Sequence, residues 1–334
     1  MFFADTHLGF DYPLKPRIEK RRRGPDFFKN FDLVLEYAQK QKVNLIIHGG
    51  DLFYQTEIPE KIISLVYDRL FRIAETGISM LIVPGNHESS RLPGSLLTQH
   101  YNIHIFHKPE TYYFEVHNLK LAISGFPFIR ENILDNFSYI LRQLKQDRKA
   151  ADINLLCMHQ ILEGATVGPS DYTFRYGNDV ISEKDLPPDY TAYLSGHIHR
   201  KQVIWKCFPN NRKIPFIYPG SIERTTFAEK DEVKGFYILE FSNNESDPAL
   251  SKMIFHPLPT RPMVDMDLNH LPSHVSDNLV RTTILESLTK LDKDSIIRIK
   301  CKNPSILKIL SSAFLKDLIP STMNVQISGF MRKV

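Results

Sequence analysis

Asp5-Thr6-His7, Gly49-Gly50-Asp51, Gly85-Asn86-His87-Glu88, Met158-His159 and Gly196-His197-Ile198-His199 follow one another along this chain. Aspartate, histidine and asparagine are oxygen and nitrogen ligands of intermediate hardness, suited to manganese, iron or zinc more than to a thiophilic ion. Asp5, His7, Asp51, Asn86, His159, His197 and His199 are therefore candidate metal ligands, with His87 left over for chemistry. Asp5 and His7 are one residue apart, so an extended segment would point both at one ion, and the same holds for His197 and His199. Asp51 can bridge two ions at the roughly 3.5 to 4 Å separation of two-metal hydrolases. Such a pair activates water and neutralises the non-bridging oxygens of a phosphoester. His87 is then available as a general acid for the leaving alkoxide, or as a charge stabiliser. Each motif alone is a weak signal; their order and their shared placement carry the reading.

That placement is set by short apolar runs, which predict strands buried on both faces at Asn44–Ile47, Met80–Val83, Leu121–Ser124, Asn154–Cys157 and Ala192–Ser195. Between them Phe27, Phe31, Val34, Leu35 and Ala38, then Ile62, Val66, Leu70 and Ile73, recur at helical spacing. A third helix is predicted over Asn132–Arg148, with Ile133, Phe137, Ile140, Leu141 and Leu144 on one side. Asp51, Asn86 with His87, His159, and His197 with His199 each follow the carboxyl end of one of these strands, where open α/β sheets gather their ligands. Gly50, Gly85 and Gly196 precede ligand candidates, where unusual backbone angles would aim the next side chain inward.

After Val203 the pattern becomes hairpin-like, with Ile214–Tyr218, a Pro219-Gly220 turn and Gly235–Leu239 expected to complete a second sheet. Three prolines within Pro257–Pro262 mark a boundary, dividing the chain into 1–256, a linker 257–262 and a small α+β unit 263–334. That unit is read as a helix over Asp277–Leu291, a strand over Ile296–Cys301, a helix over Pro304–Leu315 and a strand over Val325–Ser328.

The 334 residues allow one large domain and a smaller one. The net charge of +4 predicts no partner by itself, but Lys15, Arg17, Lys20, Arg21, Arg22 and Arg23 crowd together just after the first motif. They read either as a solvated loop or as contacts to a phosphate backbone. Three scattered cysteines suggest neither disulfides nor a thiolate metal site. No apolar run is long enough to span a bilayer and no secretory leader is evident, so no membrane association and a cytoplasmic location are expected. Tyr172, Phe174 and Tyr176 alternate in a way that fits base stacking or, as the preferred reading, a strand packed on its own sheet. Tyr193 and Trp205 are read as core.

The five motifs resemble the calcineurin-like metallophosphoesterase superfamily. Ala4–Gly9, Gly50–Phe53, Pro219–Arg224, Lys234–Phe236 and Thr260–Pro262 further resemble the SbcD family, the nuclease subunit of a double-strand-break repair complex. The resemblance covers most of residues 1 to 262. It implies an α/β, four-layer sandwich of two mixed sheets flanked by helices, with a small C-terminal α+β capping domain that helps position DNA. It implies one ion held by Asp5, His7, Asp51 and His199, and another by Asp51, Asn86, His159 and His197. Both ions would be manganese, with His87 beside the scissile phosphate and DNA as substrate for exonuclease and endonuclease action. The implied partner is a coiled-coil, SMC-like ATPase of the SbcC type, for which no docking segment is evident here. A homodimer through nuclease-domain helices is also implied, and the Ile62–Ile73 stripe would serve either that dimer or the core.

Two departures bear on activity. Glu88 stands where many family members have aspartate, as in phosphatase branches, and Tyr54 stands where some relatives carry a second active-site histidine. Tyr54 and Arg17, Arg21, Arg22 and Arg23 are candidate substrate contacts. The competing expectations are a small-molecule phosphodiesterase or protein phosphatase, and a DNA-end-binding scaffold with a weak site.

Overall fold

The computed structural model describes residues 1–11, 22–89, 91–93, 100–146, 148–209, 211–242, 249–272 and 274–329. They form two compact units: Met1–Phe10, Asp26–Thr225 and Glu232–Pro259 make the larger, and Asp11–Pro25, Thr226–Asp231 and Thr260–Val334 the smaller. No helix among the described residues is long and apolar enough to cross a membrane.

The larger unit rests on two six-stranded mixed sheets. In the first, Phe2–Phe3, Leu45–His48, Ser79–Ile82 and Ile103–Ile105 are parallel, and antiparallel Gly235–Ser242 and Ala249–Pro257 extend one edge. In the second, Leu119–Gly125, Ile153–Met158, Ala192–Ser195 and Lys213–Tyr218 are parallel, with Glu110–Val116 and Gln202–Cys207 antiparallel at the edges. Strands this apolar must be covered on both faces. Between the sheets, Phe2, Ile47 and Leu81 share a core with Ile123, Leu155, Leu194 and Ile217. Outside the second sheet, helix Ile133–Gln146 lays Ile133, Phe137, Ile140 and Leu144 against Leu156, Tyr193 and Phe216. Outside the first, helix Gly24–Lys40 brings Phe31 to 6.2 Å from Phe3. Helix Glu60–Glu75 buries Ile62, Val66, Leu70 and Ile73 within the chain, so the stripe is core. The architecture is therefore α/β, two mixed sheets with helices outside.

Three local expectations need correction. Ile214–Tyr218 and Gly235–Leu239 do not pair as a hairpin: the first lies in the second sheet and the second crosses to the first sheet, where Tyr237 pairs with Phe2. Trp205 is half exposed because its strand is an edge. The helix read over Pro304–Leu315 breaks into Pro304–Ile309 and Ser312–Leu318, since Ser311 caps the second piece by accepting the Phe314 N–H at 3.2 Å.

The smaller unit holds a parallel three-stranded sheet of Met263–Asp267, Ile296–Lys300 and Asn324–Ser328. Helix Asp277–Leu288 contributes Val280 and Ile284 to a core with Ile297, Ile299, Ile306 and Leu315.

Candidate metal centre

The carboxyl ends of the parallel strands of both sheets meet, and the chain is glycine there because nothing larger fits. The Gly196 N–H donates to the Gly49 carbonyl at 3.2 Å, joining the two sheets' loops. A Cβ on Gly196 would lie 2.3 Å from that oxygen, and one on Gly85 would lie 2.1 Å from Asp51 Oδ1. Of the three glycines expected to need unusual angles only Gly50 does, with φ +107°; close approach explains the other two.

The loops after the first two strands run side by side. Asp5, His7 and Leu8 N–H groups donate to the carbonyls of Gly50, Asp51 and Leu52 at 2.9, 3.0 and 2.9 Å. This pairing holds non-glycine residues in left-handed conformation, Asp5 at φ 52°, His7 at 45° and Asp51 at 55°, with His197 at 80° across the junction. Each such residue costs on the order of 1 to 3 kcal/mol and persists only where the surroundings fix it. Asp5 and His7 therefore do not share an ion by lying in an extended strand, which ends at Phe3. They converge because the backbone is turned at both.

The candidate ligands come together in overlapping groups. His7 Nε2 lies 2.9 Å from His199 Nε2. Ligand atoms of Asp5, His7 and His199 all fall within 4.8 Å of one another, as do those of Asp5, Asp51 and His159, and those of His7, Asp51 and His87. Beside them, Asn86 Oδ1 sits 2.9 Å from His159 Nε2 and 2.7 Å from His197 Nδ1. Asp51 Oδ2 is 3.4 Å from His159 Nε2 and 3.9 Å from His87 Nε2, a central position suited to bridging. The Asp51 carboxyl is held far below the ordinary carboxylate range: burial opposes this, but neighbouring imidazoles, His159 first, outweigh it. Burial raises the Asp5 pKa, and its Oδ2 is buried without a hydrogen-bond partner among the described residues. A buried oxygen left so, amid nitrogen and oxygen donors, fits a hard to intermediate divalent cation.

His87 lies at the rim with its side chain 33% exposed. Its main-chain N–H donates to Asp51 Oδ1 at 2.9 Å, and Nδ1 donates to the Tyr54 carbonyl. The Tyr54 ring stands 5.9 Å from that of His7 and 5.5 Å from that of His87. Of the basic stretch, Lys15, Arg17, Lys20 and Arg21 lie outside the described residues. Arg22 donates to the Asp11 carbonyl at 3.0 Å. Arg23 is only 8% exposed, so its side chain is packed inward rather than offered to solvent.

Several supporting residues escaped the sequence reading. Buried His48 accepts the Gly50 N–H through Nδ1 at 3.2 Å, and its Nε2 meets Thr6 Oγ1 at 3.1 Å. Burial lowers its pKa to about 3, so it is neutral, with the proton on Nε2. Thr6 Oγ1 passes the chain on to the Leu52 carbonyl at 2.9 Å. The Phe128 ring stacks 5.5 Å from His197. Only adjacency to the motifs pointed to His48 and Thr6; Phe128 had no local signal.

This fold and its cluster of nitrogen and oxygen donors have the character of a metallophosphoesterase domain. The chain belongs to the calcineurin-like phosphoesterase family, whose pattern matches residues 1–201. It is 24% identical over 255 residues to the DNA double-strand break repair protein Mre11 of Methanopyrus kandleri, covering 71% of this chain and 53% of that one. To the protein of the same name from Methanocaldococcus jannaschii it is 28% identical over 253 residues, covering 73% and 63%. A dimetal phosphatase from Danio rerio superposes with a TM-score of 0.43 at 11% identity, over 77% of this chain and 94% of that one. The chain thus spans between about half and two thirds of the curated relatives it matches.

Proposed function

We propose that this chain is a manganese-dependent DNA nuclease, exonuclease and endonuclease, acting in double-strand-break repair. The observation that carries the reading is the Asp51 carboxylate centred among His159, His87 and the His7–His199 pair. The similarity to Mre11 proteins supports DNA as the phosphodiester substrate. Asp5, His7, Asp51 and His199 would hold one ion, and Asp51, Asn86, His159 and His197 the other. When bound, the ions supply Lewis-acid activation of water and neutralise phosphate charge.

The chain's own residues do the rest. The Nδ1 hydrogen bond of His87 to Tyr54 turns its Nε2 toward the site, where it delivers a proton to the leaving 3′ or 5′ oxygen. Tyr54, and Arg22 with the neighbouring basic residues Arg17 and Arg21, contact the substrate strand, while residues 263–334 act as the capping domain. The partner is a coiled-coil, SMC-like ATPase, and the active form is a homodimer.

The test is cleavage of end-labelled duplex and hairpin DNA with manganese, magnesium or chelator. Manganese-dependent products should vanish in Asp51→Ala and His87→Ala. Turnover of phosphopeptides or cyclic nucleotides with intact DNA would make the chain a phosphatase or small-molecule phosphodiesterase. Salt-sensitive DNA binding without cleavage would make it an end-binding scaffold.

A further inference from the structure

Lys234 is a lysine with no exposed surface. A buried ammonium is costly unless it is paired and hydrogen-bonded, so its position calls for a reason. Its Nζ donates to the carbonyl oxygen of His199 at 2.8 Å and to Glu232 Oε2 at 2.9 Å. The same Glu232 accepts Arg200 Nε on Oε1 at 3.2 Å, and its main-chain carbonyl accepts Arg224 Nε and Nη2 at 3.1 and 2.9 Å. The His199 carbonyl also accepts the Ser221 N–H at 3.1 Å. A Cβ on Gly220 would sit 2.7 Å from that oxygen, so the backbone there closes tightly around it.

Other candidate ligands are steadied by contacts inside the site. Asp5 Oδ1 accepts the His197 N–H at 3.0 Å, Asp51 Oδ1 accepts the His87 N–H, and His159 Nδ1 donates to the Gly49 carbonyl at 2.8 Å. The His199 ring has its Nδ1 3.5 Å from Thr225 Oγ1, and the residue is also steadied from behind, through its own carbonyl, by a charged brace that ends at Lys234. Fixing that carbonyl fixes the peptide plane after His199 and so restrains the backbone from which the imidazole reaches toward His7.

We propose that Lys234 is a positioning residue for the metal centre, holding His199 as a ligand through the Arg200–Glu232–Lys234 brace, of which Lys234 is the buried end. The inference rests on the two-ion reading of the site, not on DNA as substrate. Contacts of this kind behind a ligand alter metal affinity about 10- to 100-fold when lost.

The test uses manganese alone, titrated into the full chain by calorimetry and electron paramagnetic resonance. Wild type should take up two ions and give an exchange-coupled signal. Lys234→Met, which keeps length and removes the donor, should weaken one ion about 10- to 100-fold and replace the coupled signal with that of a single ion. Glu232→Gln, whose single amide oxygen still accepts from Nζ while its NH2 faces Arg200 Nε, should shift the same way by less, with the metal-free protein losing some stability because the buried ammonium loses its counter-charge. Should Lys234→Met fail to fold, Glu232→Gln decides. Two ions at wild-type affinity with a coupled signal in the folded variants would overturn the role of Lys234. A wild type that binds no pair of ions would overturn it together with the metal-centre reading.

Discussion

His7 and His199, 192 residues apart, meet Nε2 to Nε2 at 2.9 Å across the junction of the two sheets. Adjacent nitrogen ligands on one ion, each about 2 Å from it, stand close to that far apart. The folded chain thus holds the two imidazoles at ligand spacing, and metal uptake should require little rearrangement.

A preformed site binds metal in the folded state and stabilises it by mass action, about 2.7 kcal/mol at one hundred times the dissociation constant. The unfolding midpoint should therefore rise with manganese concentration and return on chelation. Asp51→Asn keeps the shape but removes the central charge, and in that variant scanning calorimetry should show the rise lost. An undiminished rise would mean that the stabilising ions sit elsewhere.

The pH dependence of metal uptake follows from His159. Burial pulls its pKa down, but the Asp51 carboxylate, its hydrogen bond and Asp5 outweigh burial and raise it to about 9. A protonated imidazole cannot ligate, so below pH 9 metal must displace its proton, and apparent affinity should climb about tenfold per pH unit toward that value. In the metal-free protein the raised pKa has the opposite sense: its contribution to stability is full below the unfolded value and is lost as pH rises through about 9. Calorimetric titration at pH 7.5 in buffers of different ionisation enthalpy should report close to one proton released per ion pair bound, falling in His159→Gln.

His48 gives a contribution of the other sign. Its folded pKa of about 3 lies below the ordinary histidine value, so the unfolded chain takes up a proton that the native state refuses. Stability from this group is present above about pH 6.5 and is lost as pH falls toward 3, by about 1.4 kcal/mol per unit. Urea unfolding at pH 7.5, 6 and 5 should show a shallower loss in His48→Gln by about one proton. Equal slopes would mean that His48 is not buried neutral.

The sequence carried the parallel strands well, because a strand buried on both faces is a continuous apolar run, and the candidate ligands stand directly after such runs. The nearness of Asp51 to His159 was legible for that reason. What holds them was not. Lys234 lies 35 residues from His199, and nothing local marks it as buried. The crossing of Gly235–Ser242 to the first sheet was equally hidden, since strand pattern specifies pairing faces and not partners. The left-handed backbone at Asp5 and His7 arises from pairing with Gly50–Leu52, a long-range contact that spacing alone presents as an extended strand.

Glu88 illustrates how a departure from a motif can be read from its surroundings. It is 2% exposed and faces inward, Oε1 accepting the Phe53 N–H and Oε2 the Gly85 N–H, both at 2.7 Å. It thereby ties the loop carrying Asp51 to the loop carrying Asn86 and His87. Burial, then the charge of Asp51, raises its pKa to about 8 despite those two donors. Its position argues for a bracing role rather than a substrate preference. Glu88→Gln has only one acceptor oxygen, so its amide NH2 must confront one of the two buried N–H groups, at about 1 to 3 kcal/mol. Glu88→Asp is one methylene short of spanning both loops and should lose stability similarly. Denaturant unfolding of the metal-free proteins should show both losses, with manganese affinity falling in parallel as Asn86 loosens from His159. Wild-type stability with a changed substrate preference would instead make Glu88 a specificity residue.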